Sequence, residues 1–190
     1  MTAIELQIIP RLVPIEFCQF LTHVLLRHSA INRRTDDQMP NALTVMPQDI
    51  VFETLQERLW PTIEKHFGES LTPTYSYARL YHNEDILVPH KDRPSCEVSV
   101  TLQLGRSHHY SWPIFMQDQR IDLAEGDAVI YPGCDIEHWR NGCDGPPGYY
   151  SGQVFMHFVK TNGENIEWAN DKRIGDTRYV RNRTYNMEVK

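Results

Sequence analysis

A mainly β fold, a sandwich or jelly roll with helices on one outer face, is predicted by three features of the 190-residue sequence. Helical periodicity is confined to roughly the first seventy residues. After it come short stretches of apolar–polar alternation, punctuated by Gly, Pro, Asn and Asp turn signals. The last thirty or so residues are polar and carry neither period. The chain is therefore divided into an N-terminal strand with supporting helices (1–70), a β core (71–160) and an extended C-terminal tail (161–190), one structural domain in all.

The elements follow in order. "ELQIIP" reads as a short strand. From Ile15 the period changes: Phe17, Phe20, Leu21, Val24 and Leu25 form one face of an amphipathic helix. "SAINRRTDDQMPNA" reads as a loop. A second helix carries Phe52, Leu55 and Leu59 on one stripe, continued by Ile63 and Phe67. Pro61 either kinks it or opens a new helix, and Gly68 is its expected stop. "TYSYARLY" then alternates, placing Tyr75, Tyr77, Arg79 and Tyr81 on one face of a strand. "EVSVTLQLG" puts Val98, Val100, Leu102 and Leu104 on one side and Glu97, Ser99, Thr101 and Gln103 on the other. "WPIFMQ" and "DAVIYPG" are further short strands. "YYSGQVFMHFV" is apolar on both faces, as a strand covered on both sides would be.

Composition narrows the function. Apolar residues make up 41% and charged residues 23%, ordinary for a globular chain. A net charge of −6 gives no overall electrostatic case for nucleic acid. The basic run from Lys172 to Arg183 is the local exception, and its simplest reading is a solvated tail. No secretory leader and no run long enough to cross a bilayer is visible. Cys18, Cys96, Cys134 and Cys143 form no C-x-x-C pair and read as reduced thiols of a cytoplasmic protein. The sequon at Asn182 carries no weight without a secretory route.

Chemistry concentrates in "ILVPHKDRP". With nine histidines and 25 acidic residues, about one H-x-[DE] triplet is expected by chance. There are two. His82 and Glu84 sit in "YHNED", a polar turn. His90 and Asp92 instead follow an apolar strand between two prolines, and side chains two apart on extended backbone point the same way. His138, in "YPGCDIEHWR", lies just beyond another predicted strand and supplies a third ligand. Two histidines and a carboxylate on a rigid β framework are the facial triad that holds Fe(II) with positions left open. No cysteine is placed to complete a closed zinc site. His108 and His109 fall in a turn, His157 alternates with Gln153 and could face inward, and Trp112, Phe115 and Phe155 read as core.

H-x-D, forty-odd residues of strands, then a histidine after "LAEGDAVIYP", resembles the iron(II)/2-oxoglutarate-dependent oxygenases, near their prolyl-hydroxylase-like branch. The resemblance covers roughly Tyr75 to Lys160. It implies the double-stranded β-helix (jelly roll, cupin-like), with Fe(II), 2-oxoglutarate and O2 as cofactor and co-substrates, and succinate and CO2 as products. It implies metal ligation by His90, Asp92 and His138, and a 2-oxoglutarate contact from Tyr81. Because Asp92 is present, hydroxylation of a peptidyl or small-molecule substrate is expected rather than halogenation. One departure stands out. The family's usual base about ten residues after the second histidine is missing from "GPPGYYSGQ". A buried dicarboxylate needs a cation, and Arg140, two residues beyond His138, is the first choice. Arg79 is the second, and Gln153 could line the same pocket. The rival readings are a cupin-like metalloenzyme that does not use 2-oxoglutarate, and a non-enzymatic jelly-roll binding module.

Overall fold

A computed structural model of the chain describes residues 6–31, 43–44 and 49–172. Most of the predicted loop after Ser29, the basic run beyond Lys172 and the sequon lie outside the described residues. Two antiparallel sheets face each other. The larger contains β1 (Gln7–Ile9), β2 (Leu43–Thr44), β3 (Leu71–His82), β5 (Val98–Arg106), β8 (Ala128–Tyr131) and β10 (Tyr150–Lys160), ordered β1-β8-β5-β10-β3-β2. The smaller contains β4 (Leu87–His90), β6 (Ile114–Met116), β7 (Gln119–Ile121) and β9 (His138–Arg140), ordered β4-β9-β6-β7. Consecutive strands repeatedly cross between sheets, which is the double-stranded β-helix that the resemblance implies.

Strand alternation sorts the side chains into two layers. Val98, Val100, Leu102 and Leu104 face out of the larger sheet with Ala78, Leu80, Val154, Met156 and Phe158, and meet the helices α1 (Ile15–Ile31) and α2 (Ile50–Phe67) in the main core. The opposite faces of β3, β5 and β10 point between the sheets. Register places them in rows: Tyr75–His157–Ser99–Tyr131, then Tyr77–Phe155–Thr101, then Arg79–Gln153–Gln103. The polar side of β5 is therefore interior, and β10, central in its sheet, is covered on both faces.

Three expectations change. The predicted apolar stripe of α1 is rotated: Phe17 and Phe20 are 44% and 57% exposed and stack on each other, while Cys18, Leu21, Thr22, Leu25 and Ser29 are buried. Thr22 and Ser29 can be buried because their hydroxyls bond the carbonyls of Cys18 and Leu25. Thr22 also fills the space at Gly105, where a Cβ would come within 2.6 Å of its Oγ1. Pro61 does not open a new helix: α2 runs through it to the left-handed cap at Gly68 (φ 83°), whose N–H bonds Glu64 O at 2.8 Å. The tail is not extended at its start. Residues Ile166–Lys172 form 3-10 turns against the core, with Ala169 and Asn170 buried and Arg93 bonded to Asp171 at 2.9 Å.

Candidate metal centre and its cavity

His90 ends β4 and His138 opens β9, and the two are paired across the smaller sheet. Register between β4 and β9 breaks after Leu87 and resumes at His90. Pro89, which has no N–H to give a ladder, sits in that break. Asp92 follows, its N–H fixed to Gly133 O at 2.9 Å. One loop thus ties the H-x-D segment to the turn that leads into His138.

The three candidate ligand atoms converge. His90 Nε2 and His138 Nε2 lie 3.9 and 3.8 Å from Asp92 Oδ1, and the two rings are 4.2 Å apart. Each Nδ1 is within bonding distance of the carbonyl two residues back: Val88 O at 2.8 Å for His90, and Ile136 O at 3.0 Å for His138. A carbonyl only accepts, so each Nδ1 carries the proton and each Nε2 presents a lone pair to the centre. This is the tautomer a metal requires. Burial pushes the His138 pKa down, with Asp92 pulling the other way, so a neutral ligand is favoured. Tyr131, fully buried, meets the His138 ring edge to face at 5.1 Å.

The other carboxylate oxygen is held from behind. Ser99 donates to Asp92 Oδ2 at 2.8 Å, and His157 Nδ1 lies 3.0 Å from the same Ser99 Oγ. Gly133 makes room for this cluster: a Cβ there would overlap Cys96 O and Ser99 Oγ and lie 2.6 Å from Asp92 Oδ2. Burial pushes the Cys96 thiol up to about 12, with the Asp92 charge adding to it, so it stays protonated beside Tyr75. Burial also pushes His157 down to about 4. Sequence parity allowed His157 to face inward. The roles of Ser99 and Gly133 had no sequence signal beyond the polar face of β5 and a Pro-Gly turn.

The triad opens into a cavity of about 450 Å³ between the sheets, walled by Tyr75, Tyr77 and Phe155 and reached by Arg79. That size lies in the range of small-molecule sites. Arg79 is 5% exposed, and its Nη1 donates to Tyr81 Oη at 3.4 Å. Arg140 does not line this cavity. It is 2% exposed, donates to Trp112 O and to Gln153 Oε1 (2.9 Å for the latter), and stacks over Trp112 at 4.9 Å. Burial pushes its pKa down, offset by tyrosines, and no carboxylate among the described residues pairs with it. The two guanidinium groups flank the Tyr81 ring, 5.7 and 5.5 Å from its centroid. Both guanidinium charges are buried beside one phenol, and Arg79 also acts on the carboxyl group of Asp85, itself buried. Gln153 joins them through Arg140 and also bonds Gln103 at 2.9 Å. His82 ends β3 and Glu84 lies in the turn after it, both outside the two clusters of metal-competent side chains among the described residues, His90–Asp92–His138 and Asp92–Cys96–His157.

No protein-family model matches the sequence. No curated protein sequence matches it either. Solved structures do match in fold. A prolyl-4-hydroxylase from Pseudomonas putida superposes with a TM-score of 0.63 at 14% identity, over 82% of this chain and 92% of that one. HygX from Streptomyces hygroscopicus, solved with nickel and 2-oxoglutarate, gives 0.61 at 10% identity, over 83% of each chain. The α-ketoglutarate-dependent epimerase SnoN of nogalamycin biosynthesis gives 0.66 at 12% identity, over 82% of this chain and 78% of that one. The chain thus has the fold of the 2-oxoglutarate/Fe(II) oxygenases. At these identities the likeness is one of fold.

Proposed function

We propose that the protein is a non-haem Fe(II), 2-oxoglutarate-dependent oxygenase that hydroxylates a peptidyl or small-molecule substrate. One observation carries the reading: two imidazole Nε2 lone pairs and Asp92 Oδ1 meet at a single point that opens on a cavity containing a buried guanidinium. His90, Asp92 and His138 would hold the metal. Arg79, which borders the cavity, would pair with the distal carboxylate of 2-oxoglutarate, and Tyr81, buried beside it, accepts from Arg79 Nη1 and helps hold the guanidinium in place. Arg140, behind Tyr81, adds positive potential and fixes Gln153. When bound, Fe(II) and 2-oxoglutarate supply the O2-dependent oxidation, with succinate and CO2 released.

The chain's own residues bind, orient and exclude. Backbone carbonyls hold both histidines in the metal-binding tautomer. Ser99 holds the carboxylate. Tyr75, Tyr77 and Phe155 form an aromatic wall on which a substrate can pack close to the triad. Keeping Asp92 leaves no ligand position for a halide, which supports hydroxylation. Four free thiols agree with a reducing cytoplasm, and no described helix is long and apolar enough to cross a membrane.

The test is anaerobic titration of 2-oxoglutarate into the Fe(II)-loaded chain, followed by succinate release with a panel of peptides and small metabolites. A metal-to-ligand charge-transfer band that saturates with 2-oxoglutarate is expected. Fe(II) uptake without such a band would return the cupin-like reading, and no metal uptake at all would return the binding module.

A further inference from the structure

The hydrogen bonds of Asp92 extend past the three candidate ligands. Ser99 Oγ faces two atoms that only accept, Asp92 Oδ2 at 2.8 Å and Cys96 O at 3.2 Å, and its single proton goes to the nearer, charged carboxylate oxygen. Ser99 Oγ therefore accepts in its 3.0 Å contact with His157, and the proton of that bond sits on His157 Nδ1. The direction of the chain is fixed: His157 Nδ1–H to Ser99 Oγ–H to Asp92 Oδ2. The three groups come from β10, β5 and the H-x-D loop. Both ends are held. His157 is locked by its backbone, whose carbonyl accepts from Gln56 of α2 at 2.7 Å, and by Tyr75 packed at a tilt against its ring, 4.7 Å between centroids. The far carboxylate oxygen, Oδ1, is left for the centre where His90 and His138 converge.

We infer that Ser99 and His157 are positioning residues for the metal carboxylate. They immobilise Asp92 through Oδ2 so that Oδ1 alone is presented to the ion. The inference rests on the metal-binding reading above and adds residues to it. A carboxylate held this way is prevented from swinging both oxygens onto one metal, which would close a position the reaction needs. Gly133 belongs to the same device, because any side chain there would enter the space between Ser99 Oγ and Asp92 Oδ2.

The experiment is Mn(II) titration of the metal-free full chain, read by the electron paramagnetic resonance of free Mn(II), with the melting temperature of each metal-free variant measured in parallel. Ser99→Ala and His157→Phe are expected to weaken Mn(II) binding about 10- to 100-fold, the usual effect of losing an outer-shell partner. His157→Asn places an amide N–H where Nδ1–H stands and is expected to bind within about threefold of wild type. A structural role alone would lower the melting temperature and leave Mn(II) affinity unmoved. Equal Mn(II) affinity in wild type, Ser99→Ala and His157→Phe overturns the inference while leaving the metal site intact, as does an Asn variant no better than Phe. If the Phe variant fails to fold, Ser99→Ala and His157→Asn decide between the same outcomes. A wild-type chain that takes up no Mn(II) refutes the metal site and the positioning role together.

Discussion

Lowering the pH from 8 to 5 is expected to cost the metal-free wild-type chain about 2 kcal/mol more stability than it costs His157→Asn. Burial drives the magnitude: the folded imidazole is pushed down to about 4, whereas in the unfolded chain it titrates near ~6.5. A depressed histidine keeps its full contribution above the unfolded value and loses it as pH falls from there towards the folded value. At pH 5 the unfolded imidazole is ~97% protonated and the folded one ~9%, a difference worth ~2 kcal/mol in favour of unfolding. The assay is urea unfolding in chelator at both pH values for both proteins. Other titrating groups are common to the pair and largely cancel in the double difference. Asn keeps the Ser99 bond and cannot titrate, so what remains is the His157 charge. A double difference under about 0.5 kcal/mol, or one of opposite sign, refutes a buried neutral His157.

Other perturbations isolate single parts. Gly133→Ala is expected to weaken Mn(II) binding by at least tenfold, because its Cβ would displace Ser99 Oγ and Asp92 Oδ2; unchanged affinity in the same titration would remove the steric argument. Arg79→Met is expected to raise the 2-oxoglutarate dissociation constant ~100-fold, more than Arg140→Met does, since Arg79 borders the cavity and Arg140 is packed behind Tyr81; the charge-transfer titration ranks the two. Gly68→Ala is expected to cost about 1 kcal/mol by urea unfolding and leave metal uptake unchanged, since only its positive φ, with open space around it, makes Ala unfavourable.

Much of the architecture was legible because the pleat of a strand is local. Two residues apart means one face, so His90 and Asp92, the interior row of β3 and the two-faced alternation of β5 could be read directly. The H-x-D pair was separable from His82–Glu84 for the same reason: one follows an apolar strand, the other forms a turn. The face of α1 was misread because Thr22 and Ser29 look polar in a sequence, yet bond their own helix and so tolerate burial. The turns at Ile166–Lys172 were missed because they are held by Arg93 at Asp171, a contact made across the chain.

Period and spacing by themselves narrowed the fold to a sandwich or jelly roll with outer helices and nominated three ligands, while the resemblance to the oxygenases nominated the two arginines. Only the folded chain decided which strands are neighbours. The order β8-β5-β10-β3 puts Tyr131, Ser99, His157 and Tyr75 in one row under the triad. Ser99 and His157 are 58 positions apart, and no local period links residues at that distance. The choice between Arg79 and Arg140 is of the same kind. Both share a face with a site residue by parity, but which one borders the cavity depends on how two sheets close over it. Parity is a property of one strand's backbone, whereas depth and partnership are properties of the packing between strands.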